Sequence, residues 1–375
     1  MIFIIFSIAT AYTVLIIGFI IGFDKVKNIS NTNTAPKHSF SIVVPFRNEA
    51  KNLPHILNNI QQLNYPKHLF EILFVNDASD DDSSDLVKKY QQQFPLINIV
   101  LLNNLVKSNA PKKDAINTAI KNAKFTWIVT TDADCKIPPS WLQVFNQFIE
   151  LKNPVFISAP VKMEVKSSIL KHYQHFNMLS LQGATIGSFG LKNPLMCNGA
   201  NLCYKKNIFN ELKGFEGNEN IASGDDVFLL EKMATYYPKQ TFFLKSKSAI
   251  VSTTSEKNWN SYINQQIRWA SKATAYKSSF SKFTGIVVLL MNLLLLILPF
   301  IAFKSTIFLT LFFIIFTQKI IIDFILIQKT ATFLQSKTSL KNYLKTVCLY
   351  PLLTTLIGLT SIFKGYEWKG RSYKK

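Results

Sequence analysis

Residues 125–142 read FTWIVTTDADCKIPPSWL. The opening run, Phe125 to Thr130, is short, β-branched and aromatic, and it reads as a buried strand. It leads into Asp132 and Asp134, two carboxylates separated by one residue, which point the same way at a strand exit. Three runs of the same kind precede it: Ser39 to Phe46 (SFSIVVPF), Glu71 to Val75 (EILFV) and Ile97 to Leu102 (INIVLL). Polar or turn residues bound each one. Between them lie Asn52–Leu63, Ser83–Gln92 and Lys112–Ala123, of helical length and pattern. Strands alternating with helices predict an α/β fold, a parallel sheet with helices on both faces. Ligands of such sheets bind beyond the carboxyl ends of the strands, so the polar residues just after each strand are the candidate site.

The rest of the chain has a different character. Its 375 residues allow about two domains at roughly 150 residues each. The 42 Lys+Arg outnumber the 22 Asp+Glu, a net charge of +20. With 48% hydrophobic and 13% aromatic residues it is no disordered chain. The four cysteines, Cys135, Cys197, Cys203 and Cys348, lack close metal-ligand spacing, which argues against a zinc module or disulfide scaffold. A chain both this apolar and this basic segregates the two characters along its length.

Met1 to Phe23 carries no charge and suffices to cross a hydrocarbon core, which takes about 20 residues. Its start lacks the basic residues of a cleaved signal peptide, so an uncleaved anchor is expected. Lys25, Lys27 and Lys37 follow it, and basic flanks stay cytoplasmic. Three apolar runs come late: Phe283 to Phe303, Ser305 to Gln328 and Thr346 to Phe363. The second holds Lys319 and Asp323, four apart on one helix face and able to pair. The pair reads as structural, facing a helix bundle, with an intramembrane functional pair as the alternative. Three late crossings would put the tail outside, yet Lys364, Lys369, Arg371, Lys374 and Lys375 favour the cytosol. The conflict resolves if Thr346 to Phe363 does not span but is re-entrant or interfacial, broken near Pro351. The expected layout is an anchor over 1–23, a cytosolic catalytic domain over 37–255 and an amphipathic interfacial helix over 256–282. A membrane region of two or three spans over 283–363 and a basic tail over 364–375 complete it.

Three acidic clusters stand out: Asn76 to Asp82 after the second strand, Asp132-Ala133-Asp134 after the fourth, and Gly224-Asp225-Asp226 opening a helix. Ordinary helix capping accounts for Asp80 to Ser84. It accounts less well for Asp132 and Asp134, which repel unless a cation lies between them. Hard divalent cations are held by one or two carboxylates plus substrate phosphates, so a phosphate-bearing substrate is the economical reading. Asp77 at a neighbouring strand end suits a base or ribose. No P-loop or G-x-G-x-x-G is present, and no nucleophile elbow. His172 and His175, three apart, read as solvated or core residues rather than metal ligands.

Only three of the 42 basic residues are arginine: Arg47, Arg268 and Arg371. Arg offers a planar, permanently charged fork suited to phosphate. Asn258 to Tyr276 reads as an amphipathic helix just before a span, with Trp259, Tyr262, Ile267 and Trp269 suited to the membrane interface. Gln265, Arg268 and Trp269 share one of its faces.

These segments resemble those of membrane-integrated family 2 glycosyltransferases, the group with cellulose, chitin and hyaluronan synthases and ceramide glucosyltransferase. The matching stretches are VPFRNEAKNL (44–53), VNDASDD (75–81), TTDADCKIPPSWL (130–142), GANLCYKK (199–206), SGDDVFLLEK (223–232) and QQIRWASK (265–272). The resemblance implies a GT-A fold, a Rossmann-like mixed sheet flanked by transmembrane helices, and inverting transfer from a nucleotide sugar, of UDP type, with Mg²⁺ or Mn²⁺. It implies that Asp77 contacts the uridine and that Asp132 and Asp134 hold the metal and donor diphosphate. Asp226 is then the base, with Asp225 its fallback. Pro45, Arg47, Glu49 and Lys112 lie by the donor, and Gln265, Arg268 and Trp269 by the diphosphate and acceptor. Three positions depart from the family pattern: Asn76 for a frequent Asp, Gly224-Asp225 for Thr-Glu, and Pro111 for a Gly.

The expected acceptor is a lipid or glycan at the membrane, with a processive polysaccharide synthase as the alternative. The expected location is a bacterial inner membrane with the catalytic domain cytoplasmic. A nucleotidyl- or phosphotransferase also uses acid pairs and metal, but gives no reason for Gln265, Arg268 and Trp269 beside a span. A nucleic-acid partner is not expected, because the lysines are spread along the chain and cluster at the membrane ends, where they suit anionic lipid. Four apolar runs are few for a transporter.

Overall fold

The computed structural model describes residues 1–32, 34–164 and 167–373. Helix α1 (Ile2–Lys25) opens the chain and β1 (Phe40–Phe46) begins the sheet, followed by α2 (Leu53–Gln61) and β2 (Phe70–Asn76). Then come α3 (Ser83–Gln93), β3 (Asn98–Asn103), α4 (Pro111–Asn122), β4 (Trp127–Thr130) and α5 (Trp141–Lys152). Short strands β5 (Phe156–Ser158) and β6 (Val161–Met163) lead to the long helix α6 (Ile169–Gly190). Next are β7 (Leu202–Lys205), α7 (Lys206–Glu211), α8 (Asp225–Tyr236), β8 (Thr241–Phe243) and β9 (Val251–Thr253). The C-terminal part is α9 (Trp259–Ser271), α10 (Ser279–Ile301), α11 (Thr306–Phe333), α12 (Leu340–Val347), α13 (Leu349–Phe363), β10 (Tyr366–Trp368) and β11 (Arg371–Tyr373).

The chain divides into two compact bodies. One comprises Lys27–Met163 and Met196–Thr254, the other Met1–Val26, Glu164–Leu195 and Ser255–Lys375. Residues 164–195, which fall inside the expected 37–255 domain, thus pack with the apolar helices instead.

The first body is built on a seven-stranded sheet in the order β3-β2-β1-β4-β7-β5-β8. Strands β1 to β4 are mutually parallel, as the alternation predicts. The simple parallel sheet is corrected at β7, which runs antiparallel to both β4 and β5. The sheet is therefore mixed, as the resemblance implies. Phe40, Ile42, Val43 and Val44 of β1 and Ile72, Phe74 and Val75 of β2 are solvent-inaccessible. Near-continuous apolar runs are what strands covered on both faces require. The order reverses between β1 and β4, since the chain goes from β1 to β2 and β3 on one side and then to β4 on the other. That reversal opens a crevice at the carboxyl ends of the strands.

In the second body, α1, α10 and α11 are each long and apolar enough to cross a membrane. Helix α1 meets α6 through glycines. A Cβ on Gly187 would lie 2.4 Å from the Phe19 carbonyl oxygen, and one on Gly190 1.8 Å from that of Gly22. Only glycine permits so close a backbone approach, as in small-residue membrane helix contacts. Lys319, only 1% exposed, pairs with Asp323, and the Tyr12 hydroxyl donates to Asp323 at 2.8 Å. The Lys319 ammonium also lies over the rings of Tyr12 and Tyr350. The expected pair forms and faces the bundle, where α1, α11 and α13 supply its partners.

Helices α12 and α13 meet at 47°. The break falls at Cys348, three residues before Pro351. Pro351 has no N–H for the Val347 carbonyl, four residues back, and its ring crowds that carbonyl, so the helix breaks just before it, as expected. Part of the expected basic tail is folded. Tyr366–Trp368 and Arg371–Tyr373 form an antiparallel hairpin, turned by Lys369 and Gly370 at φ 51° and 71°. Two positive-φ residues are the signature of a tight hairpin turn. Lys374 and Lys375 lie outside the described residues.

Candidate active site

Four segments of the sheet-containing body bring the acidic residues together. Asp132 and Asp134 follow β4, at the crevice where the strand order reverses. Asp225 and Asp226 are the first two residues of α8, whose N-cap Gly224 has φ 88°. Lys112 stands in the first turn of α4. Gly199 begins the short turn that leads into β7.

The Lys112 ammonium joins them. It lies 2.8 Å from Asp132 Oδ1 and 3.4 Å from Asp225 Oδ2. Burial works against its charge, but Asp132 and then Asp225 more than offset that and raise its pKa, so it stays protonated. Gly199 closes one side. Its N–H donates to Asp226 Oδ2 at 3.4 Å and its carbonyl accepts from Thr130 Oγ1 at 2.7 Å. A Cβ there would sit 3.1 Å from Asp225 Oδ2 and 3.6 Å from Lys112 Nζ. A larger residue would crowd the carboxylates.

Asp132, Asp134 and Cys135 each place a ligand atom within 4.8 Å of the others. Two carboxylates are the donor set of a hard divalent cation that also takes phosphate oxygens, so these residues fit Mg²⁺ or Mn²⁺. Cys135 was not anticipated, because spacing between cysteines says nothing about a cysteine beside two aspartates. Burial, with Asp134 and Asp132 adding to it, raises its thiol well above the usual range.

The donor-side residues named from the sequence hold the strand-end loops. Asp77 is buried, its backbone N–H donates to the Phe46 carbonyl, and its Oδ1 accepts from Asn104 Nδ2 at 2.8 Å. Asn104 follows β3, at the kind of strand end where a partner was to be sought, yet the sequence reading passed over it. Arg47 Nη1 donates to the carbonyls of Asp77, at 2.8 Å, and Ala78, and its Nη2 lies 3.3 Å from Asp80 Oδ2. It organises the loop after β2. Pro45 lies opposite Val75 in the register, just before that loop. Glu49 is nearly buried, accepts from Asn52 Nδ2 at 2.6 Å and donates its N–H to Ser83 Oγ. In the capping run, Asp82 occupies the N-cap of α3 without a side-chain bond, while Asp81 accepts from the Ser83 N–H at 3.1 Å.

Gln265, Arg268 and Trp269 lie on α9, in the other body. Gln265 Nε2 donates to Glu256 Oε1 at 2.9 Å, and its own Oε1 is buried without a partner. The Arg268 guanidinium stacks over Trp368 of the hairpin at 5.1 Å. Trp269 is half-buried. Tyr262 and Ile267 face inward, with Tyr173, Leu353 and Ile357. His175 is buried, and its pKa is pushed down to about 4, chiefly by that burial. Neither it nor His172 joins a potential metal cluster among the described residues.

Known proteins resemble this chain in sequence and in fold. The profile described as Glycosyl transferase family 2 matches residues 41–213. Glycosyltransferase AglE of Haloferax volcanii is 27% identical over 112 residues, covering 30% of this chain and 35% of the relative. The poly-beta-1,6-N-acetyl-D-glucosamine synthase of Staphylococcus epidermidis is 24% identical over 240 residues, covering 61% of this chain and 53% of the relative. The chain thus spans about a third to a half of the length of these two relatives. The mannosyltransferase PcManGT of Pyrobaculum calidifontis, solved with GDP-Man and Mn²⁺, superposes with a TM-score of 0.56. That match is 17% identical and covers 95% of this chain and 99% of that one, a likeness of fold. It bears out the GT-A fold that the sequence motifs imply. Over residues 41–213, a little under half of its length, the chain is similar to glycosyl transferase family 2.

Proposed function

We propose that the chain is an inverting, metal-dependent glycosyltransferase that moves a sugar from a nucleotide donor, of UDP type, to a lipid or glycan acceptor at a membrane. The observation that carries this reading is the convergence of the Asp132 and Asp225 carboxylates on the Lys112 ammonium, with Asp134 and Asp226 on the same segments. In the proposed reaction Asp226 takes the proton from the acceptor hydroxyl. The hydroxyl oxygen attacks the anomeric carbon from the face opposite the leaving group. A new glycosidic bond forms as the bond to the nucleoside diphosphate breaks. Asp132 and Asp134 would hold Mg²⁺ or Mn²⁺, which offsets the charge of the leaving diphosphate. Lys112 adds a fixed positive charge to the same group of carboxylates. Asp77, held by Asn104, would accept hydrogen bonds from the base or ribose. By resemblance, Gln265, Arg268 and Trp269 serve the diphosphate and acceptor, and Asp225 is the alternative base.

A second reading, a processive polysaccharide synthase, is favoured by the match to the poly-beta-1,6-N-acetyl-D-glucosamine synthase over 61% of this chain. The test is transfer from a panel of radiolabelled UDP-sugars, with GDP-mannose included, to membranes containing the protein and Mn²⁺. Label is then divided between organic extract and polymer. Label in the organic phase supports a lipid acceptor, and label in polymer supports a synthase. Asp226→Asn is expected to lower turnover at least about 100-fold while largely sparing donor binding. Full turnover in that variant would remove Asp226 from the role of base.

A further inference from the structure

The segment 212–224 links α7 to α8 and contains no helix or strand. Its backbone is turned repeatedly into the left-handed region, at Lys213, Gly214, Gly217 and Gly224. Such a path cannot pair its carbonyls in a regular ladder, and unpaired backbone groups are costly when buried. Backbone N–H groups meet some of these carbonyls, those of Lys213, Phe215, Asn218 and Gly224 among them, and two lysines bind five. Lys232, on α8, donates from Nζ to the carbonyls of Leu212 at 3.1 Å, Gly214 at 2.7 Å and Glu216 at 3.0 Å. Those three bonds use all the donors an ammonium has. Lys113, on α4, is 1% exposed and donates to the carbonyls of Asn218 at 2.7 Å and Ile221 at 2.8 Å. Its ammonium also lies over the ring of Phe228, on α8, at 4.8 Å.

We propose that Lys113 and Lys232 are positioning residues that strap segment 212–224 in place and so set where Asp225 and Asp226 stand. The strap ends at Gly224, the N-cap of α8, one residue before the carboxylates. The adjacent lysines of α4 divide the work: Lys112 meets the Asp225 carboxylate and Lys113 the backbone that leads to it. One helix thereby fixes both the side chain and its approach. Lysine suits the role better than arginine. Its compact ammonium can meet two or three carbonyls converging from different directions, whereas the guanidinium presents its donors in one plane. The role in turnover rests on the reading of Asp226 as the base, but the strap itself does not.

The test uses the full-length protein carrying Lys113→Met or Lys232→Met, changes that keep the apolar stem and delete the donors. Amide hydrogen exchange should quicken across 212–226 in both variants while the strands β1 and β2 keep wild-type protection. Turnover per donor-binding site, with the sites counted by nucleotide-sugar binding so that any unfolded fraction drops out, should fall by about tenfold or more with KM for the nucleotide sugar within about twofold. Unchanged exchange in the strap, or wild-type turnover with a loosened strap, would overturn the proposal. So would loss of protection throughout the sheet, which would make the lysines general props of the fold. Asp226→Asn run alongside keeps the two readings apart: if it retains full transfer, the base assignment fails, while the exchange result still decides the strap.

Discussion

Lys112 shows what a single side chain contributes here. Its position by the donor was implied only by resemblance, and the geometry adds its two carboxylate partners. Lys112→Met leaves Asp132 and Asp225 without their shared cation. We expect turnover to fall roughly 100-fold, the scale on which fixed charges at a developing anion act, and steady-state kinetics on the purified protein would check it. A loss smaller than about threefold would place Lys112 outside the chemistry. Its raised pKa keeps it charged throughout the neutral range, so the ammonium should add no titration to the rate profile there. Arg47 teaches the opposite lesson. Scarcity marked it as a residue that lysine cannot replace, and the structure gives a different reason from phosphate binding: its fork spans two successive carbonyls and the Asp80 carboxylate. Residue type exposed the constraint but not its object, because carbonyl and phosphate oxygens ask for the same donors.

The crossing of α1 and α6 decides how the second body is assembled. Gly18 and Gly22 repeat at four-residue spacing on α1, as Gly183 and Gly187 do on α6. Gly187→Leu would drive a side chain into the Phe19 carbonyl. Overpacking a well-packed contact costs about 1–3 kcal/mol, and a backbone collision lies at the upper end. The expected result is a lower unfolding midpoint in detergent, read by a thermal melt, with no such fall for Gly285→Leu, where a Cβ meets nothing within 4 Å. Helix α6 escaped the sequence reading because it is only partly apolar, carrying Lys171, His172, Gln174, His175, Asn177 and Gln182 among its apolar residues. Much of that polarity is turned to partners. Gln174 Nε2 bonds the Glu256 carbonyl, and Asn177 Nδ2 bonds the Tyr262 hydroxyl. Periodicity distinguishes a helix from a strand, but it cannot say which neighbours will satisfy polar groups.

For the chain as a whole, charge asymmetry makes a prediction about sidedness. Three spanning helices and an α13 that does not cross would leave the hairpin on the same side as Lys25 and Lys27. A cysteine introduced at Ser372 of a cysteine-free variant should therefore react with a membrane-impermeant thiol reagent only after permeabilisation, as one at Lys27 should. Labelling of intact cells at Ser372 would mean that the bent pair α12–α13 crosses. The parallel strands β1 to β4, the acidic strand ends and the apolar helices were all legible in the sequence. Each follows from local pattern: apolar continuity for a strand covered on both faces, and apolar length for a span. The antiparallel β7 was not, because its register is set by contact with β4 and β5, remote in sequence. Nor was the strap of Lys113 and Lys232, the Gly199 wall or the turn of Lys369 and Gly370 at the tail. Sequence alone determined which candidate residues stand at the strand ends and the order in which they follow the strands. Only the tertiary structure decided which of them meet, because an ammonium chooses its partners by distance and burial, and neither is a local property of the chain.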